Sequence, residues 1–191
     1  MQPLLPASRW LRLMSNAESQ NTCSTDPVKR HPLAQLNVAR MKSPLDSPVM
    51  AAFVASLAKI NRLADAAPGF VWRLQSDARN ATVLRLLGDD MLVNRSVWSD
   101  ADALREFAYR SPHAAVMRRR RDWFNRVADA YLVLWWVPCG HEPTISEAIE
   151  RPSELRRVGP TRRAFTFTEP YTPDGTRQAP GRTDRDACPA A

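Results

Sequence analysis

Regular alternation of apolar and polar side chains begins at Leu33. From Leu33 to Arg40, Leu33, Gln35, Asn37 and Ala39 fall on one side, and Ala34, Leu36, Val38 and Arg40 on the other. A two-residue period predicts a half-buried strand. Ser47-Pro48 then offers an N-cap and a first-turn proline. Behind it Met50, Phe53, Leu57, Ile60 and Ala64 recur at three- and four-residue steps, the core face of an amphipathic helix that Pro68-Gly69 closes. Phe70–Gln75 and Met91–Trp98 read as two further strands joined by the polar stretch Ser76–Asp90. Ser99 with Asp102 resembles a capping box opening a second helix, with Leu104 and Phe107 inside. Ser111-Pro112 interrupts this helix, which resumes to about Val127. Tyr131–Pro138 is apolar on both faces. Thr144 and Glu147 form a second capping box, ahead of a last helix that Pro152 is expected to kink or break. Ala164–Thr168 reads as a short final strand.

The resulting order, βαββαβ followed by αβ, predicts an α+β fold of the ferredoxin-like type, with helices on one face of the sheet. A last strand apolar on both faces then needs a cover over the open side. A second subunit packed sheet against sheet would supply it, making a homodimer; the C-terminal αβ piece is the alternative cover. Residues 1–31 are polar and aperiodic, and residues 170–191 hold four of the 16 prolines and few large apolar residues. The expected organisation is therefore a disordered extension over 1–31, one domain over 32–169 and a disordered tail over 170–191.

Charge changes this picture little. The net charge is +7, but the basic residues are 24 Arg and 3 Lys, a skew that reflects Arg-rich composition more than a nucleic-acid footprint. Arg118 to Arg121 fan around a helix and cannot form one stripe, and no RNA-binding aromatic motif accompanies them. Neither a nucleic-acid nor a membrane partner is expected, since no apolar run approaches the roughly 20 residues of a span. The cysteines Cys23, Cys139 and Cys188 are odd in number and widely spaced. They suggest no metal site and no disulfide framework, and favour a reducing, cytoplasmic setting.

Candidate chemistry concentrates on the second helix. His113, Met117, Arg120 and Phe124 share a helical face, where a histidine and an arginine need a partner or a cavity. His113 there could act as general base or haem ligand and Arg120 could hold an anionic group; a structural network is the plainer reading. Asn37, beside Gln35, could bind a carbonyl or orient dioxygen if its strand face lines a pocket. Arg73 and Asn94 or Arg95 are similar polar interruptions in later strands. Trp135, like Trp72, Trp98, Trp123 and Trp136, could wall a planar ligand or simply pack. His141, close to Cys139, is expected to help cap the last helix rather than to activate a thiol. No GxGxxG, P-loop, HExxH or GxSxG pattern occurs.

The phrases LAQLNVARMKSPLDSPVMAAFV, PGFVWRL, MLVNRSVW, FAYRSPHAAVMRRRRDWF and YLVLWWVPCGHEPT resemble a bacterial family known as domain of unknown function 3291. The resemblance spans about Pro32 to Thr168. It implies membership of the dimeric α/β-barrel superfamily, which also holds antibiotic-biosynthesis-type monooxygenases and haem-degrading enzymes, and a two-fold dimer enclosing a pocket. The haem-degrading branch has an Asn on its first strand and a Trp and a proximal His on the helix after the third. Asn37 matches that Asn in position; Phe107 stands where the Trp would be and Met117 near the His, with His113 one turn earlier. The sequence requires no cofactor, and haem enters only through this resemblance. The expected function is binding of an unidentified small molecule between helices and sheet, with monooxygenase-like or isomerase-like chemistry. A non-catalytic ligand binder or a structural dimer is the alternative.

Overall fold

The alternating segment Leu33–Arg40 forms β1, an inner strand of a four-stranded antiparallel sheet ordered β2-β3-β1-β4. A computed structural model describes residues 31–75, 88–125 and 132–179. Its elements are β1, α1 (Ala51–Asp65), β2 (Phe70–Arg73), β3 (Met91–Trp98), α2 (Ala101–Arg105), a π-turn (Glu106–Arg110), α3 (His113–Arg118), α4 (Arg120–Trp123), β4 (Leu132–Trp136) and α5 (Ile145–Val158). The expected α+β class is what the chain adopts. No helix among the described residues is long and apolar enough to cross a membrane.

Register assigns every strand residue to a face. Leu33 pairs with Trp98 and Trp136, Gln35 with Ser96 and Leu134, and Asn37 with Asn94 and Leu132. Directly opposed residues share a face, so these nine form the front of the sheet, under α1 and the α2–α4 segment. Ala34, Leu36, Val97, Arg95, Trp135 and Val133 form the back by the same alternation.

The back is covered by the chain itself. Ala148 and Leu155 of α5 pack with Ala34, Leu36, Val97, Val133 and Trp135 in one buried cluster. Helices therefore lie on both faces, and the doubly apolar β4 is accounted for within one chain. The sheet-on-sheet dimer loses the observation that called for it.

Local expectations are corrected at several points. Helix α1 begins at Ala51, after a tight turn in which the Met50 N–H donates to Ser47 O at 3.0 Å, and no side chain caps it. Asp100, not Ser99, caps α2: its carboxylate accepts the Ala103 N–H at 2.8 Å. Pro152 does not break α5, because its ring is buried on the same face as Ala148 and Leu155, which offsets the lost backbone bond. The arginine-rich helix stops at Trp123 instead of running to Val127. Phe124 turns extended and the Asn125 N–H donates to Arg40 O at 2.9 Å, so the chain bonds to the end of β1 there. Ala164–Thr168 adds one bridge to the sheet instead of a strand, Phe165 exchanging both backbone bonds with Leu134. Residues 170–179 are not tail: the Trp136 Nε1–H donates to Tyr171 O at 2.7 Å, and the Tyr171 hydroxyl donates to Pro160 O at 3.1 Å. The expectations for residues 1–30, 76–87, 126–131 and 180–191 lie outside the described residues. Cys139 is disulfide-bonded, which corrects the expectation of no disulfide framework.

The Thr144–Glu147 capping box forms as expected. His141 joins it, its Nε2–H donating to Glu147 at 2.8 Å. Burial alone would push the Glu147 carboxyl up, but the bonds from Thr144 and His141 hold it below the ordinary carboxylate value.

Candidate functional site

The front of the sheet does not meet its helices everywhere. Between them lies a cavity of about 490 Å³. Its floor includes Gln35, Asn37, Asn94, Ser96 and Trp98, and its roof Phe53, Leu57, Phe107, His113, Met117 and Arg120. Among the described residues its wall includes no aspartate or glutamate.

The π-turn sets the position of His113. A π-turn offers carbonyls to partners five residues on, and the imidazole of His113 uses one: its Nδ1 lies 3.2 Å from Ala108 O. Ser111 fixes the approach, its hydroxyl donating to Phe107 O at 2.5 Å and accepting the His113 N–H at 3.1 Å. Because a carbonyl can only accept, Nδ1 carries the proton and Nε2 carries the lone pair. The ring stacks on Phe107 at 4.9 Å and 23°, and Phe107 stacks on Trp98 at 5.0 Å. Burial pushes the His113 pKa below its ordinary value, with the Ala108 bond pulling weakly the other way. His113 is therefore neutral at pH 7, a base with its lone pair available.

The lowered pKa has a sign. The unfolded chain takes up its proton first as pH falls, near the ordinary histidine value of about 6.5. Folding stability from this residue is complete above that value and is lost below it, until the folded-state pKa is also passed. His113→Asn, whose amide can still donate to Ala108 O, should lack this component. Urea unfolding between neutral and mildly acidic pH should show a steeper decline for the natural chain; parallel curves would refute the assignment.

Of the other sequence candidates, Asn37, Asn94, Arg73 and Arg120 all line the cavity. Arg73 is committed to Asp65 of α1 through two bonds of 2.7 and 3.1 Å, so it closes the wall between β2 and α1. Trp135 is placed elsewhere: it lies on the back face, 1% exposed, and does not line the cavity. The four-residue face His113, Met117, Arg120 and Phe124 reaches the cavity intact, although the helix is broken at Arg119. Asn61 and Tyr109 also line the cavity and were missed. Asn61 sits four residues after Leu57, within the apolar stripe of α1, and Tyr109 four before His113; both spacings were there to be read. Among the described residues, no group of three or more His, Cys, Asp or Glu side chains is arranged to hold a metal ion.

A mixed α+β fold with an internal aromatic and amide-lined cavity is the class these observations define. The chain belongs to the family described as Domain of unknown function (DUF3291), whose model matches residues 32–182. No curated protein matches it. A solved structure of a protein of unknown function from Nitrosomonas europaea is similar at 15% identity, covering 61% of this chain and 96% of that one, with a TM-score of 0.39.

Proposed function

We propose that this chain binds an apolar, ring-bearing small molecule in the front cavity and acts on it by proton abstraction, with His113 as the base. The observation that carries the reading is a neutral imidazole, locked in one tautomer, on the wall of a cavity that holds arginine and amide groups but no described carboxylate. His113 Nε2 would accept a proton from an acidic O–H or C–H of the ligand. Arg120 and the amides of Asn37 and Asn94 would stabilise the anion left behind. Returning the proton to another carbon gives isomerase-like chemistry. Addition of the carbanion to dioxygen, followed by protonation, gives a hydroperoxide that loses water to leave a carbonyl; this is monooxygenase-like chemistry in which the substrate itself supplies the electrons.

The order βαββαβ with strands arranged β2-β3-β1-β4 supports a ferredoxin-like reading; a sheet-on-sheet dimeric barrel would use the back face, which α5 covers here. Haem rests on the resemblance alone, which puts Met117 near the expected proximal position and Phe107 where the Trp would be; no step is assigned to haem.

Native mass spectrometry of freshly purified protein, followed by titration with 2-naphthol read through tryptophan fluorescence, tests the reading. Saturable binding that Leu57→Trp abolishes by filling the cavity is the expected result. A folded protein that neither carries an adduct nor binds the phenol would overturn it. The same spectrum weighs the particle: the homodimer requires twice 21.5 kDa.

A further inference from the structure

The back of the sheet, away from the cavity, holds a second group of polar side chains that the front-face chemistry does not use. Arg95 lies there on β3, opposite Leu36 of β1, and is only 6% exposed. Its guanidinium sits 5.4 Å from the Trp72 ring centroid. Its Nε and Nη1 are buried without a hydrogen-bond acceptor.

Arg151 comes to the same layer from α5. Its nearest carboxylate oxygens, Glu147 Oε1 and Glu154 Oε2, are 3.8 and 3.9 Å away, beyond hydrogen-bond range. Its Nε and Nη1 are likewise buried without a hydrogen-bond acceptor, and so is Trp135 Nε1. This is the same Trp135 that the sequence suggested for a ligand wall.

The neighbouring carboxylates have other commitments. Glu147 accepts from His141 and from the Thr144 N–H, both at Oε2, and its Oε1 is the atom 3.8 Å from Arg151. Glu154 accepts from the Thr161 hydroxyl and Arg163 Nε. Burial pushes Arg95 below the ordinary arginine value, and the fields of Glu147 and Glu142 only partly oppose this.

Five buried donor nitrogens on the back side of the sheet, two on Arg95, two on Arg151 and one on Trp135, therefore have no hydrogen-bond acceptor. Buried donors of this kind are normally paired. A partner for them must be rich in acceptors, and a guanidinium fork matches the paired oxygens of carboxylates and phosphates. We propose that the back of the sheet, between β3 and α5, is a binding site for a small oxyanion, with Arg95 and Arg151 as its cationic ligands and Trp135 Nε1 as a further donor. The site is separate from the front cavity and does not depend on what that cavity binds.

Thermal unfolding of the full chain at constant ionic strength tests the site, with sodium chloride replaced stepwise by sodium phosphate or sodium acetate. A saturable rise in Tm of about 3–6 °C is expected once the anion is about tenfold above its Kd. A rise in phosphate alone identifies a phosphate-type ligand, and a rise in acetate as well identifies the carboxylate class. The rise should vanish in Arg151→Gln, a change at a partly exposed helix position that leaves the sheet intact. It should persist in His113→Asn, which alters only the front cavity. Equal Tm values in all three salts would overturn the proposal and leave water as the partner of these donors. A rise undiminished by Arg151→Gln would overturn it too. Arg95→Met gives a second check: if it folds, it should unfold at one temperature in every salt.

Discussion

Trp98→Ala should lower folding stability by about 3–5 kcal/mol, the range for removing a large aromatic from a packed core. Trp98 is 1% exposed at the end of β3, where register sets it beside Leu33 and Phe70. Its ring meets Phe70 edge-on at 5.4 Å and stacks on Phe107 at 5.0 Å, and its Nε1–H donates to Ser96 Oγ at 2.9 Å. Truncation removes the indole contacts and leaves Ser96 without its donor. The space opened joins the existing cavity, so nearby side chains have little to collapse onto. Phe107 also loses its support, and His113 rests on Phe107. Urea unfolding measures the loss, and 2-naphthol titration of the surviving folded fraction should show weakened binding. A loss below about 1 kcal/mol would mean that the stack contributes little to the fold.

Gly69→Ala should be comparably damaging for a different reason. Gly69 has φ +77°, and an added Cβ would lie 2.4 Å from Ser99 Oγ and 2.6 Å from Ala103 Cβ. Its carbonyl also accepts the Ser99 N–H at 2.7 Å, so the turn cannot retreat without breaking the junction between β3 and α2. Gly159→Ala is the matching control. Its φ is +76°, but an added Cβ there meets nothing within 4 Å. The control should cost about 1–3 kcal/mol from backbone strain, since φ +76° with ψ −172° is a conformation that only glycine adopts freely. Gly69→Ala should cost about 1–3 kcal/mol more once the collisions are added. Denaturant midpoints for the pair separate the two contributions. Equal losses would show that the contact with Ala103 relaxes freely.

Local spacing made the main elements legible. Leu33–Arg40 was readable as a strand from its two-residue period, although Leu33 to Leu36 are buried on both faces and not on one as the alternation implied. The stripe Phe53–Leu57–Ile60–Ala64 was readable because one face of α1 is covered and the other is not. The face joining His113 to Phe124 was legible for the same reason and survived a break in its helix. Trp135 was not placed correctly, because β4 is apolar on both sides and its pattern carries no parity. Only pairing with Ala34 fixes it to the back. Register likewise resolves the choice between Asn94 and Arg95: Asn94 pairs with Asn37 toward the cavity, and Arg95 turns away. The cover over the back face depended on where α5 docks, a long-range contact that no local period encodes. The π-turn was visible only as the Ser111-Pro112 interruption.

Chain length near Ser111 is itself a constraint on this protein. The turn at Glu106–Arg110 winds in more residues than an α-helix would. Side chains advance by about 100° per residue along an α-helix. Deleting one residue between Phe107 and Ser111 would restore α-helical winding and rotate the downstream segment by about that angle. His113 would leave the Ala108 carbonyl, and Met117 and Arg120 would swing with it. A natural relative with a single-residue deletion here would keep the sheet and lose the alignment of its cavity wall. The same deletion in the exposed turn between Thr172 and Thr176 would leave that wall in register.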